Sequence, residues 1–128
     1  MKKLLDAGVL LAAGTDAPYP GVFQGEAIHH ELELLVEAGM TPLQAIRTAT
    51  YNAAQIMHAE QEWGSLQSGR VANLVIVAGN PAAQISDTRK IEMVIVNGKI
   101  LDRVSLRYDA KKDPGFRAVA GNFNSPVQ

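Results

Sequence analysis

The 128-residue chain contains no cysteine. Disulfides, thiolate nucleophiles and cysteine-type zinc or iron–sulfur sites are therefore excluded, although the compartment is left open. It has no excess charge of one sign either: 12 Lys plus Arg stand against 13 Asp plus Glu, a net charge of -1. That balance supplies no field to draw nucleic acid or an anionic membrane, so neither is expected as a partner. No apolar run approaches the roughly 18 to 20 residues of a membrane-spanning helix. The opening Met1-Lys2-Lys3-Leu4-Leu5-Asp6 meets an acid before a secretory apolar core develops. No targeting segment is visible, and a cytoplasmic location is the default expectation.

Helix formers and apolar residues are plentiful. Hydrophobic residues make up 47% of the chain, and its length is that of one domain able to bury a core. Lys2 to Ala7 reads as the end of a helix closed by Gly8. Val9 to Ala13 is a wholly apolar run between glycines, the pattern of a strand covered on both faces. Gly14 to Gly25 is a loop carrying Pro18, Pro20, Tyr19 and Phe23.

Ile28, Leu32, Leu35 and Val36 follow helical spacing within Glu26 to Ala38, and Gly39 stops that helix. Thr41-Pro42-Leu43-Gln44 has the cap, the proline and the glutamine of a capping box, opening a second helix expected to reach about Met57. Leu43, Ile46, Thr50, Ala53 and Met57 would share one side of it. After Trp63-Gly64 the texture turns extended. Strands are predicted at Leu74 to Val77 and Ile91 to Val96, with Asn97-Gly98 turning the chain back along Lys99 to Leu101.

Asp16, at the end of a buried strand, occupies the place where α/β sheets put their ligands. A carboxylate there can hold a divalent cation, or accept a proton from an activated water and pass it on. The competing reading is a carboxylate that caps a turn ahead of a proline-containing loop. His29 and His30 point about 100° apart on one helix and cannot readily grip a single ion. Glu26 with His30, and His29 with Glu33, read as four-residue pairs on a polar face. His58 reads as a partial cation at a helix end and Trp63 as a packing plug. Glu31, Glu33 and Glu37 read as a solvated face, and Lys111-Lys112 is too short to be an interaction patch.

Ala13-Gly14-Thr15-Asp16, then Glu31 to Ile46, Ala49 to Ala54, Gly64 to Val77, Gly79-Asn80-Pro81 and Val94 to Lys99 follow one another in order. In this series the chain resembles the carboxyl-terminal part of the amidohydrolase superfamily, in its imidazolonepropionase- and prolidase-like group. One departure lies at Ala72-Asn73-Leu74-Val75, where that family usually has aspartate at the second position. The resemblance implies an α/β fold: the last strand and helices of a metal-dependent (β/α)8 barrel, plus part of the flanking β-sandwich domain. Residues 1–57 would end the barrel, residues 58–108 would belong to the sandwich, and residues 109–128 would form an irregular tail.

By the same resemblance, Asp16 is the strand-eight metal ligand and the catalytic proton carrier. Tyr19 and Phe23 line the substrate loop. The implied activity is hydrolysis of carbon–nitrogen bonds in a small amide, peptide or cyclic ureide, with a divalent metal, zinc by preference, in the full-length parent. A barrel takes about 200 to 250 residues, so this chain is expected to be a piece of one. Alone it should bind no metal and turn nothing over. It should self-associate or pair with an N-terminal polypeptide. A second reading makes it a non-catalytic structural or oligomerisation module.

Overall fold

A computed structural model describes residues 2–18, 20 and 22–106 of the chain. Four helices come first: α1 (Lys2–Asp6), α2 (Glu26–Glu37), α3 (Pro42–Thr48) and α4 (Tyr51–Ile56). Strand β1 (Leu74–Val77), a 3-10 turn (Ile85–Arg89), β2 (Ile91–Val96) and β3 (Lys99–Ile100) follow. The expected tail, residues 109–128, and Tyr19 lie outside the described residues.

The second helix pair begins as its sequence dictates. The Thr41 hydroxyl accepts from the Gln44 amide at 3.2 Å, and the Gln44 side chain accepts from the Thr41 amide at 2.8 Å. The capping box is thus closed on both sides, with Pro42 in the first turn. Such a cap contributes about 1 kcal/mol. The helix does not reach Met57 in one piece. It stops at Thr48 and restarts at Tyr51, with Thr50 at φ -127° and ψ -93°. The Thr50 hydroxyl donates to the Ile46 carbonyl at 2.9 Å and so takes up an acceptor of the preceding turn.

The alanines at 45, 49 and 54 are expected from the sequence to allow close approach to a neighbour, and Ala45 and Ala54 do so. The side shared by Leu43 and Met57 is not the buried one. Leu43 and Met57 are 61% and 68% exposed, while Ala45, Thr48 and Ala54 are buried. Small side chains face the interior here and let the backbones approach closely. The core is made by Leu32 and Leu35 of α2, Met40, Ala45 and Ile85, with Leu5, Leu11, Ala13 and Ile46 packed against it. Full burial of each large member removes about 1.5–3 kcal/mol worth of apolar surface from water.

Val9 to Ala13, expected as a strand, joins no sheet among the described residues. A strand exists only through a neighbour's hydrogen bonds, and what this segment has instead is helix. The Ala13 amide donates to the Thr48 carbonyl at 3.2 Å, and the Leu11 carbonyl accepts from the Asn52 side chain at 2.9 Å.

The three strands form an antiparallel sheet in the order β1-β2-β3, with Leu74 opposite Ile95, Val75 opposite Val94 and Ile95 opposite Ile100. The β2–β3 hairpin turns on Asn97 (φ 50°) and Gly98 (φ 76°), the pair of left-handed residues that such a turn demands. Asn73 carries the departure noted above. Its side-chain oxygen accepts from the Asn97 amide at 2.8 Å, so the asparagine ties the hairpin turn to the start of β1 as a carboxylate oxygen would.

Candidate functional site

Asp16 ends the pinned segment at φ 55°, in the left-handed region where aspartate is among the better tolerated residues. Its side chain is exposed. The turn around it is local: the Ala17 amide donates to the Thr15 hydroxyl at 3.4 Å, and the Ala17–Pro18 peptide is cis. On its other side the Gly14 amide reaches a Glu31 carboxylate oxygen on α2 at 3.4 Å.

A groove of about 270 Å³ lies next to this turn, lined by Thr15, Phe23, Glu26, His30, Glu31 and Arg89 among others. The structure therefore brings Phe23 beside the turn that carries Asp16. Phe23 is 74% exposed, and Asp16 itself does not line the groove.

The charged groups around α2 are arranged differently from the sequence expectation. Arg89, from the 3-10 turn, bridges Glu26 at 2.9 Å and Glu33 at 3.0 Å. His30 lies 3.9 Å from Glu33, so the histidine pairs at three residues and not four. His29 turns to the same 3-10 element, its Nδ1 3.0 Å from the Thr88 hydroxyl. That hydroxyl donates to the Ile85 carbonyl at 2.8 Å, so Nδ1 is the donor to it. Burial first, then the Arg89 charge, lowers the His29 pKa, with Glu26 and Glu33 acting the other way. No local spacing pointed to Arg89 and Thr88, because they reach α2 from more than fifty residues away.

A buried carboxylate lies beyond β1. Asp87 is 7% exposed, accepts from the Asn80 amide at 2.8 Å and pairs with Lys90 at 2.7 Å. These contacts, Lys90 first, hold its carboxyl below the usual carboxylate value, against the opposing effect of burial. It latches the Gly79-Asn80-Pro81 turn to the 3-10 element. His58 follows α4 at φ 56°, exposed. Trp63 is half-buried, and its carbonyl accepts from Arg70 at 3.3 Å.

The implied divalent metal can be tested against these residues. A catalytic zinc takes three protein ligands. Among the described residues no three His, Asp or Glu side chains gather closely enough to hold an ion. Asp16 offers one carboxylate, and the residues described do not by themselves fit the metal.

Comparison with known proteins supplies the wider context. The model of the Amidohydrolase family matches residues 1–101. An imidazolonepropionase of Christiangramia forsetii is 32% identical over 105 residues, covering 78% of this chain and 25% of that protein. An adenine deaminase of Mesorhizobium japonicum is 35% identical over 95 residues, covering 70% of this chain and 16% of that protein. Among solved structures, an Xaa-Pro dipeptidase with methionine bound in its active site superposes with a TM-score of 0.70 at 37% identity. That match covers 78% of this chain and 24% of the dipeptidase. The chain thus spans about a quarter or less of the length of these relatives.

Proposed function

Because the chain belongs to the amidohydrolase family, we propose that it supplies one catalytic carboxylate, Asp16, and its scaffold to a hydrolase acting on carbon–nitrogen bonds. The observation that carries this reading is the position of Asp16. It is an exposed carboxylate at the end of an apolar segment pinned to two helices, inside the stretch that the family model matches.

In this role Asp16 accepts a proton from the attacking water as oxygen bonds to the substrate carbon. It returns that proton to the nitrogen as the C–N bond breaks. Val9 to Ala13 serves as the eighth barrel strand, completed by neighbours on other polypeptide. The helix α2 is then a barrel helix, and β1 to β3 belong to the flanking sandwich. Phe23 borders the substrate. The names of the relatives, an imidazolonepropionase, an adenine deaminase and an Xaa-Pro dipeptidase, favour a small amide, cyclic amidine or ureide, or dipeptide. The family is generally metal-dependent. The described residues do not hold a metal alone, so the other ligands of a divalent ion, zinc by preference, come from beyond the described residues. By itself the chain is inactive. Among the described residues no helix is long and apolar enough to cross a membrane, and we place its site of action in the cytoplasm.

Co-expression with the N-terminal three quarters of a prolidase-like relative tests this function. Hydrolysis of small amides or Xaa-Pro dipeptides should appear only with both pieces, and Asp16→Asn should lower it by about 10²–10⁴-fold. Full turnover with Asp16→Asn overturns the assignment.

One observation favours the second reading, a non-catalytic assembly module. The strands of the sheet are largely apolar, with Glu92 and Lys99 as exceptions, and the outer edge of β1 is unpaired among the described residues. Such an edge takes another strand readily, which accounts for an expected homo-oligomer. Light scattering that finds a stable monomer at all concentrations counts against this module.

A further inference from the structure

The interruption of the second helix coincides with the two hydrogen bonds that hold the segment leading to Asp16. Because α3 ends at Thr48, the Thr48 carbonyl is available to the Ala13 amide at 3.2 Å. Because α4 restarts at Tyr51, the Asn52 side chain is presented to the Leu11 carbonyl at 2.9 Å, across 41 residues of chain. The asparagine is itself oriented. Its Oδ1 accepts from Arg47 Nε at 3.1 Å, which directs the amide nitrogen at Leu11. Arg47 in turn lies over the Tyr51 ring, 4.9 Å from its centroid.

From these contacts we infer that Asn52 is a positioning residue for Asp16. The broken helix is a clip: Thr48 grips Ala13 through the backbone and Asn52 grips Leu11 through its amide. Alternate residues of the segment are held, as a neighbouring strand would hold them. The register of Gly14, Thr15 and Asp16 is set from this side, leaving the opposite side of the segment open to other polypeptide. Loss of this part-buried donor also leaves the Leu11 carbonyl without its protein partner, so the clip resists slippage by one residue. The inference rests on the proposed role of Asp16 for its functional meaning, and on the two hydrogen bonds for its geometry.

The test is NMR on the full 128-residue chain. Asn52→Leu removes the donor at nearly constant size. The Ala13 amide should then exchange at least tenfold faster, and the Asp16 backbone shifts should leave their left-handed values, while those of the β2–β3 hairpin stay in place. Arg47→Met keeps the Asn52 donor but releases the bond that orients it, so it should move the Asp16 shifts in the same direction as Asn52→Leu and by less. If Asn52→Leu lowers the melting temperature but leaves the Asp16 shifts and Ala13 exchange unchanged, Asn52 only stabilises the helix pair and the clip is refuted. Should Asn52→Leu fail to fold, Asn52→Gln is read in the same way, since moving the donor by one methylene must move Asp16. Unchanged Asp16 shifts in a folded Asn52→Gln refute the clip as well. These readouts need no turnover, so the clip stands or falls independently of the hydrolysis assay with Asp16→Asn.

Discussion

Arg89 reaches from the 3-10 turn to Glu33 on α2, its Nη2 lying 3.0 Å from the carboxylate oxygen across 56 residues of chain. The same nitrogen lies 2.9 Å from Glu26, two turns earlier on α2. A single guanidinium thus ties two turns of α2 to the element that carries Ile85 into the core.

Replacing it with methionine removes both ion pairs while keeping most of the apolar stem. Glu26 is well exposed, so most of the effect comes through Glu33. Arg89→Met should cost about 0.5–1 kcal/mol in urea unfolding at low salt. The difference should shrink in 1 M NaCl, where screening acts over about 3 Å. A loss that is independent of salt would assign the stabilisation to packing of the stem instead.

His29 makes stability depend on pH in one direction. Its pKa is lowered in the folded chain, so the unfolded chain binds the proton first as pH falls. Stability is therefore retained above the ordinary histidine value of about 6.5 and declines as pH drops through it. Urea midpoints measured from pH 7.5 down to 5.0 should fall, and His29→Asn should flatten that slope. An equal slope in the variant would place the proton uptake elsewhere.

Asp87 acts in the acid range with the corresponding sign. Its folded-state pKa lies below the unfolded value, so the carboxylate stabilises the fold above that value and the contribution is lost as pH falls through the depressed one. Asp87→Asn should lower the melting temperature at pH 7 and bring the variant closer to the parent at pH 3. Identical acid limbs for the two proteins would exclude Asp87 as their source.

Gly64 is required by a close approach. It sits at φ 91°, and a Cβ there would lie 2.7 Å from the Cβ of Ala54, which is fully buried, and 3.1 Å from the Thr50 carbonyl. Neither neighbour has a flexible end to move. Gly64→Ala should cost about 1–3 kcal/mol by overpacking, before the conformational penalty is added. Thermal denaturation followed by circular dichroism reads this directly, and an unchanged midpoint would mean that the 64–73 connection shifts freely.

The parts of the fold that depend on neighbours in sequence were legible from the residues. Apolar spacing located α2, Thr41 with Gln44 located the start of α3, and Asn97-Gly98 located the hairpin. The interruption at Thr50 was not legible, because periodicity registers which side chains share a face and not whether the backbone ladder persists between them. The apolar run Val9 to Ala13 was recognised as a segment that wants cover, yet its cover here is Thr48 and Asn52, and composition cannot name a partner 41 residues away. Asp16 stood out through the residues around it. Arg89 and Thr88 act through tertiary contacts and carry no local signature, while Asn52 lies within the Ala49 to Ala54 motif, which does not by itself name its partner Leu11.

The sheet presents Leu74, Ile76, Met93 and Ile95 on one face and Val75 and Val94 on the other, with a β1 edge that is unpaired among the described residues. Such a ribbon is a template for cross-β stacking by its own kind. An edge left open during synthesis can pair with the same edge of another copy, so the yield of native material should fall as the expression level rises.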